Sequence, residues 1–287
     1  MSMQRDLLGA VEDREERVVM QLESCSGIGK KVRLSRILKG GKGVVFAFDH
    51  GFEHGPSDFM PERSNPRKVV ELAVESGVDA LMLTRGVAQA TADLWAGRVP
   101  VIIKLTGKTS LRPPDMQMQQ YRIGFVEDAV AMGADGVAAT VYWGAPGEDA
   151  MAEEFAAIVS ESERFGIPVM ILAYPRGPSI IERHDEYIVK YASRASVEIG
   201  ADIIKTHYTG SAESFRRVVE SVPVPVLMSG GAKTEDPKEF LRTVKSVMDA
   251  GGAGVVVGRN VFQSQDFAGT ARAILEVVHK GTDPERL

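Results

Sequence analysis

The chain has 287 residues, 44% hydrophobic and 25% charged, with a formal net charge of −5. That length accommodates one α/β barrel or two smaller domains, and the acidic balance offers no basic patch to a nucleic acid. A single cysteine, Cys25, excludes an internal disulfide and a cysteine-based zinc site, and fits a reducing cytoplasm.

In chain order, residues 1–38 read as a mixed-charge helical arm ending in VRLSRIL. The opening MSMQRDLLGAVEDREERVVM has no apolar h-region of a secretory signal. No run approaches the ~18 apolar residues that cross a membrane. From residue 39 to 287 the pattern changes, and one domain is expected, with no internal linker or low-complexity segment. Short apolar runs recur at Val44–Phe48, Ala80–Leu83, Val101–Leu105, Gly136–Tyr142, Val169–Tyr174, Asp202–Thr206, Val224–Met228 and Gly254–Val257. Each is near-continuously apolar and bounded by Gly, Pro or polar residues, as a strand buried on both faces reads.

Helix patterns lie between them: Pro66–Glu75, Val126–Met132, Asp149–Phe165, Asp185–Glu198, Ala212–Ser221, Pro237–Ala250 and Ala268–His279. Asp185 reads as an opening cap, and Gly133, Gly166 and Gly200 as closures. The gap after Leu83 is too short for a long helix, and 106–120 reads as an ordered loop. Alternating strands and helices predict a parallel sheet. Eight units predict a (β/α)8 TIM barrel with an N-terminal helical extension. The alternative, a doubly wound open sheet, lacks its glycine-rich turn, because AFDHGFEHG after the first strand is no GxGxxG.

In such a barrel the chemistry sits at the C-terminal ends of the strands. After the first strand, His50, Glu53 and His54 match an H-x-x-E-H metal spacing. That motif needs a helix, and Gly51, Gly55 and Pro56 oppose one. The expectation is therefore a tight loop presenting Asp49, with no metal. The third strand carries Lys104. Lys108–Ser110 suggest a P-loop, but the required first glycine is replaced by Ile102. The sixth strand carries Lys205 within ADIIKTHYTGS. A lysine at the apolar end of a buried strand can lose its proton and attack a carbonyl as a free amine. Lys104 and Lys205 each follow an Ile-Ile pair, so the residues alone do not rank them.

The fourth strand ends in Tyr142-Trp143-Gly144, and the fifth in Tyr174-Pro175-Arg176-Gly177. A tyrosine at such a place can move a proton, and Arg176 can meet an anion. Ser229-Gly230-Gly231 and Gly258-Arg259 follow the seventh and eighth strands, where barrels often hold phosphate. These pieces suggest an imine-forming lysine acting on a small phosphorylated carbonyl compound, with the phosphate orienting the reacting carbon.

Together FDHGFEHGP, YPRG, IIKTHYTG, PVLMSGGAKT and GVVVGRNVFQ resemble the archaeal-type (DhnA-type) class I fructose-bisphosphate aldolases, over about residues 32–280. The resemblance implies a cytoplasmic, metal-free lyase with no cofactor and a homo-oligomer, often decameric. Its expected reaction is reversible cleavage of fructose 1,6-bisphosphate to dihydroxyacetone phosphate and glyceraldehyde 3-phosphate. It assigns the imine to Lys205, the proton transfer to Tyr174, and an assisting carboxylate to Asp49. Phosphate binding falls to Ser229, Gly230, Gly231, Gly258 and Arg259; apart from the resemblance, Lys104, as an electrostatic or substrate-positioning group, Arg176 and His50 are further expected substrate-binding residues. Leu172 stands where the family can carry tryptophan. Two relatives share the scaffold: the 2-amino-3,7-dideoxy-D-threo-hept-6-ulosonate synthase, and the thiolase acting on phosphorylated autoinducer-2. The EHGP and YPRG pair favours the aldolase. A sugar-phosphate sensor is the non-enzymatic alternative, and the intact lysine and tyrosine argue against it.

Overall fold

The computed structural model describes residues 27–287. Eight parallel strands close into a barrel: β1 Gly43–Phe48, β2 Ala80–Thr84, β3 Val101–Lys104, β4 Gly136–Trp143, β5 Val169–Pro175, β6 Ile203–Thr206, β7 Val226–Ser229 and β8 Gly254–Val257. Each strand pairs with its neighbours in sequence, and β8 closes onto β1 through Gly43–Gly254 to Phe46–Val257. The expected strands all form, with ends shifted by at most two residues.

Alternation along the strands sorts the side chains into two layers. Val45, Ala47, Met82, Ile102, Ala138, Met170, Leu172, Ile203, Leu227 and Val256 fill the barrel interior. Their neighbours Val44, Phe46, Leu81, Ile103, Val137, Ile171, Ile204 and Val257 face outward under the helices. The same parity carries forward to the strand ends. Asp49 follows Val45 and Ala47, Lys104 follows Ile102, Tyr174 follows Leu172, Lys205 follows Ile203, and Ser229 follows Leu227. The barrel pleat therefore turns all five toward the inside of the barrel at its C-terminal end.

The floor is closed by helix α1, Ile28–Ile37, whose Leu34 and Ile37, with Leu38, join the interior cluster. Of the helical arm expected over 1–38, residues 1–26 lie outside the described residues; the part seen is a plug. Its Lys30 is sealed from solvent and donates to Glu163 at 2.5 Å and Asp202 at 3.0 Å. Burial disfavours that ammonium, but the two carboxylates outweigh it and hold Lys30 above the ordinary lysine value.

The outer layer holds α2 Pro66–Glu75, α3 Val126–Ala131, α4 Glu148–Phe165, α5 Glu186–Glu198, α6 Ala212–Glu220, α7 Pro237–Asp249 and α8 Phe267–Leu275. Asp185 caps α5 by accepting from Ile188 N–H, and Gly166 closes α4 in the left-handed conformation. The helix expected over 268–279 stops at Leu275 and widens into a π turn, Glu276–Lys280. Two short helices, Arg85–Ala90 and Ala92–Trp95, fill the brief gap after β2. A two-residue ribbon, Thr106–Gly107 with Tyr121–Arg122, stiffens the loop after β3.

The stretch after β1 differs from its expectation. His50–Glu53 forms one helical turn with Asp49 at its N-cap. A single turn tolerates Gly51, and it ends where Gly55 adopts φ 88°. His50 and His54 thereby come to one side, ring centroids 5.7 Å apart. Among the described residues, no group of three or more His, Cys, Asp or Glu side chains could hold a metal ion.

Candidate active site

A cavity of about 510 Å³ opens at the C-terminal end of the barrel. Asp49, His50, Tyr174, Arg176, Lys205, Ser229, Gly230, Gly231, Gly258 and Arg259 all line it. Ten of the eleven residues expected at the site therefore meet on one wall system. Lys104 does not. It is 1% exposed, and its ammonium donates to the Thr106 carbonyl at 2.6 Å, behind the wall.

Lys205 stands in register between Leu172 on β5 and Leu227 on β7. It is 6% exposed, and its Nζ has no hydrogen-bond or ion-pair partner among the described residues. It lies 5.8 Å from the centroid of the Tyr174 ring. Here the two lysines separate: Lys104 is engaged by protein groups, and Lys205 ends free in the cavity.

Tyr174 is fixed on several sides. Its hydroxyl is 3.1 Å from Ser229 Oγ, which starts the loop after β7. His207 stacks on its ring, with centroids 4.9 Å apart at 26°. The Arg176 guanidinium sits 5.6 Å from that ring and 4.9 Å from the Tyr142 ring. Arg176 can follow Tyr174 in this way because Gly177, at φ 156°, passes against Gly144; a Cβ there would stand 1.6 Å from the Gly144 carbonyl oxygen.

Burial raises the Asp49 carboxyl, but the nearby His50, Lys104 and Lys205 charges and its own N–H bring it below the ordinary aspartate value. Burial pushes His50 down to about 4, so its ring is neutral at neutral pH. Burial, then His184 and Arg176, pushes His207 down to about 3, leaving a neutral ring against Tyr174.

On the opposite side, the loops after β7 and β8 are clamped together. Asn260 donates to the carbonyls of Gly230 at 2.7 Å and Ala232 at 2.9 Å, and Arg259 Nε donates to Gly231 at 3.1 Å. Gly258 lets the second loop pass His50, where a Cβ would lie 2.4 Å from the ring. The result is a braced glycine-rich cradle that carries the Arg259 guanidinium, suited to a phosphate.

Several lining groups escaped the sequence reading. Gln120, Arg183 and His184 reach the cavity from loops whose fold no local pattern announces. In the sequence, Lys108 and Glu53 stand out only as parts of other motifs. Asn260 carried no signal, since its work is to join two loops thirty residues apart.

A lysine without an ion-pair or hydrogen-bond partner at the mouth of a β/α barrel, a stacked tyrosine and a phosphate cradle define a barrel enzyme of the imine-forming aldolase class. The chain belongs to the DeoC/LacD family of aldolases, whose family model matches residues 43–264. It is 41% identical over 244 residues to the class 1 fructose-bisphosphate aldolase of Thermoproteus tenax, covering 84% of this chain and 91% of that one. It is 36% identical over 251 residues to the enzyme of the same name from Halobacterium salinarum, covering 86% and 94%. Among solved structures, it resembles a Schiff-base-forming fructose-1,6-bisphosphate aldolase with a TM-score of 0.80 at 39% identity, covering 86% of this chain and 99% of that one. An archaeal fructose-1,6-bisphosphate aldolase whose catalytic lysine is covalently bound to the carbinolamine intermediate matches with a TM-score of 0.79 at 38% identity, covering 86% and 98%.

Proposed function

We propose that this protein is a class I fructose-bisphosphate aldolase that cleaves fructose 1,6-bisphosphate reversibly through an imine on Lys205. The observation that carries the reading is the free Nζ of Lys205 beside Tyr174, whose hydroxyl faces Ser229 of the phosphate cradle. The free amine of Lys205 attacks the C2 carbonyl; the carbinolamine loses water to give the imine, which draws electrons from the C3–C4 bond. Tyr174 takes the proton of the C4 hydroxyl as that bond breaks, and returns a proton to C3 of the enamine. Water then releases dihydroxyacetone phosphate. Asp49, ionised and close to Lys205, assists the proton transfers of carbinolamine formation. Ser229, Gly230, Gly231, Gly258 and Arg259 hold the phosphate of the ketose end, and Arg176 and His50 complete the walls.

The reaction needs no metal or other cofactor, because the protonated imine is itself the electron sink. The enzyme works in the cytoplasm as a homo-oligomer, a reading supported by the single cysteine and by exposed Tyr187, Tyr191 and Phe125. Borohydride with dihydroxyacetone phosphate labels Lys205 in the test; cleavage that survives in Lys205→Ala overturns the mechanism. Activity is expected to withstand EDTA, and loss on chelation would return attention to His50, Glu53 and His54.

A further inference from the structure

Two lysines are sealed inside the described part of the molecule, Lys30 and Lys104. Lys30 is accounted for by its ties to Glu163 and Asp202. Lys104 takes no direct part in the aldol chemistry above, yet it lies beneath the cavity wall in contact with two carboxylates. Its ammonium is 3.7 Å from Glu53 Oε1 and 4.0 Å from Asp49 Oδ2, and it donates to the Thr106 carbonyl. Asp49 and Glu53 come from the same helical turn, four residues apart, so one face of that turn presents both to one cation.

The surroundings leave no other cation in the same place. Asp49 faces His50, Lys104 and Lys205. Glu53 faces Lys104 and accepts from Gln120 Nε2 at 3.1 and 3.2 Å; that same nitrogen reaches the Tyr142 hydroxyl at 2.8 Å. Lys108 also acts on Glu53 through its charge, but it makes no ion pair with it and donates instead to Gln117. His50 is neutral at neutral pH. Lys104 alone among the described residues makes charged contact with both carboxylates. Two buried like charges without it would repel each other and leave the wall.

We propose that Lys104 is a positioning residue of the aldol site: its ammonium holds the carboxylates of Asp49 and Glu53 in the cavity wall and keeps Asp49 an ionised proton acceptor facing Lys205. The proposal rests on the Schiff-base reading of Lys205. It assigns Lys104 to the protein side of the wall, and it explains why two lysines at equivalent strand positions do different work. Lys205 meets substrate, and Lys104 sets the charge of its neighbour.

The test is the pH dependence of borohydride trapping with dihydroxyacetone phosphate in the full-length protein and in Lys104→Met, Lys104→Arg, Glu53→Gln and the double variant Lys104→Met/Glu53→Gln. Lys104→Met is expected to shift the acid limb of the trapping rate upward by about one pH unit, about a tenfold loss on that limb. Lys104→Arg keeps the charge and recovers most of the rate. The double variant moves the limb back, because one carboxylate has gone with the cation. Glu53→Gln by itself moves the limb to lower pH, since the ammonium is then left to Asp49; this variant carries the test if Lys104→Met does not fold. An unmoved limb in the folded Lys104→Met, or in Glu53→Gln if Lys104→Met is lost, overturns the proposal while trapping in the parent protein continues. Failure of the parent to trap at all overturns the Schiff-base reading instead.

Discussion

His207 is the residue whose replacement tests the electrostatics of the site most directly. Its ring is 9% exposed, stacked on Tyr174, and its Nε2 has no hydrogen-bond partner. In the unfolded chain it takes a proton near its ordinary 6.5, whereas the folded protein refuses that proton until about 3. A base whose folded value is depressed makes the unfolded state the better proton binder as pH falls below 6.5. Its penalty is absent at neutral pH and grows by about 1.4 kcal/mol for each unit below the unfolded value. At about pH 5 it amounts to about 2 kcal/mol. His50, depressed to about 4, adds a loss of the same sign and of similar size in the same window. Asp49 and Asp79 are both held below their ordinary 3.8, so their contributions are lost only at more acid pH, while Asp202, raised by burial, acts with the opposite sign and is common to parent and variant. The perturbation is His207→Phe, which keeps an aromatic ring on Tyr174 and removes the titration. Denaturant unfolding at neutral pH and at about pH 5 should show the acid loss reduced by about 2 kcal/mol relative to the parent, with the His50 share remaining. An unchanged acid loss in His207→Phe would refute the reasoning.

Tyr174→Phe keeps the imine and removes the proton carrier, so cleavage should fall by about 10²–10⁴-fold while borohydride still labels Lys205; lost labelling would contradict separate roles for the two. Gly258→Ala puts a methyl group 2.4 Å from the His50 ring and 2.8 Å from the Ala47 carbonyl, which displaces the phosphate cradle. Its KM for the bisphosphate should rise by about tenfold or more, a loss of ~1.4 kcal/mol of binding, and an unchanged KM would count against the cradle. Lys30→Ala leaves the buried Asp202 carboxylate without its cation, and unfolding should show a loss of about 3–5 kcal/mol. A loss below ~1 kcal/mol would mean that α1 does not depend on this pair.

The strands were legible because a strand buried on both faces has to be apolar throughout, and eight such runs leave few closed arrangements. The cradle was legible because Ser229-Gly230-Gly231 and Gly258-Arg259 fall after the last two strands. The turn at His50–Glu53 was misread: a local glycine count cannot weigh the packing that lets one turn form. For a related reason the residues alone do not rank Lys104 against Lys205. Its position on β3 repeats that of Lys205 on β6, and only the carboxylates delivered by a different loop determine that its charge is used inside the protein.

Order along the chain thus determined the barrel, the inward parity of Asp49, Lys104, Tyr174, Lys205 and Ser229, and the resemblance that singled out Lys205. Tertiary structure decided which lysine ends free, which ring lies on Tyr174, and which side chain joins the two phosphate loops. Periodicity is a property of one strand and its neighbours in sequence, so it survives in the sequence itself. The partners of a buried charge come from segments as far apart as residues 49 and 104, and burial acts on the group only after those segments have met.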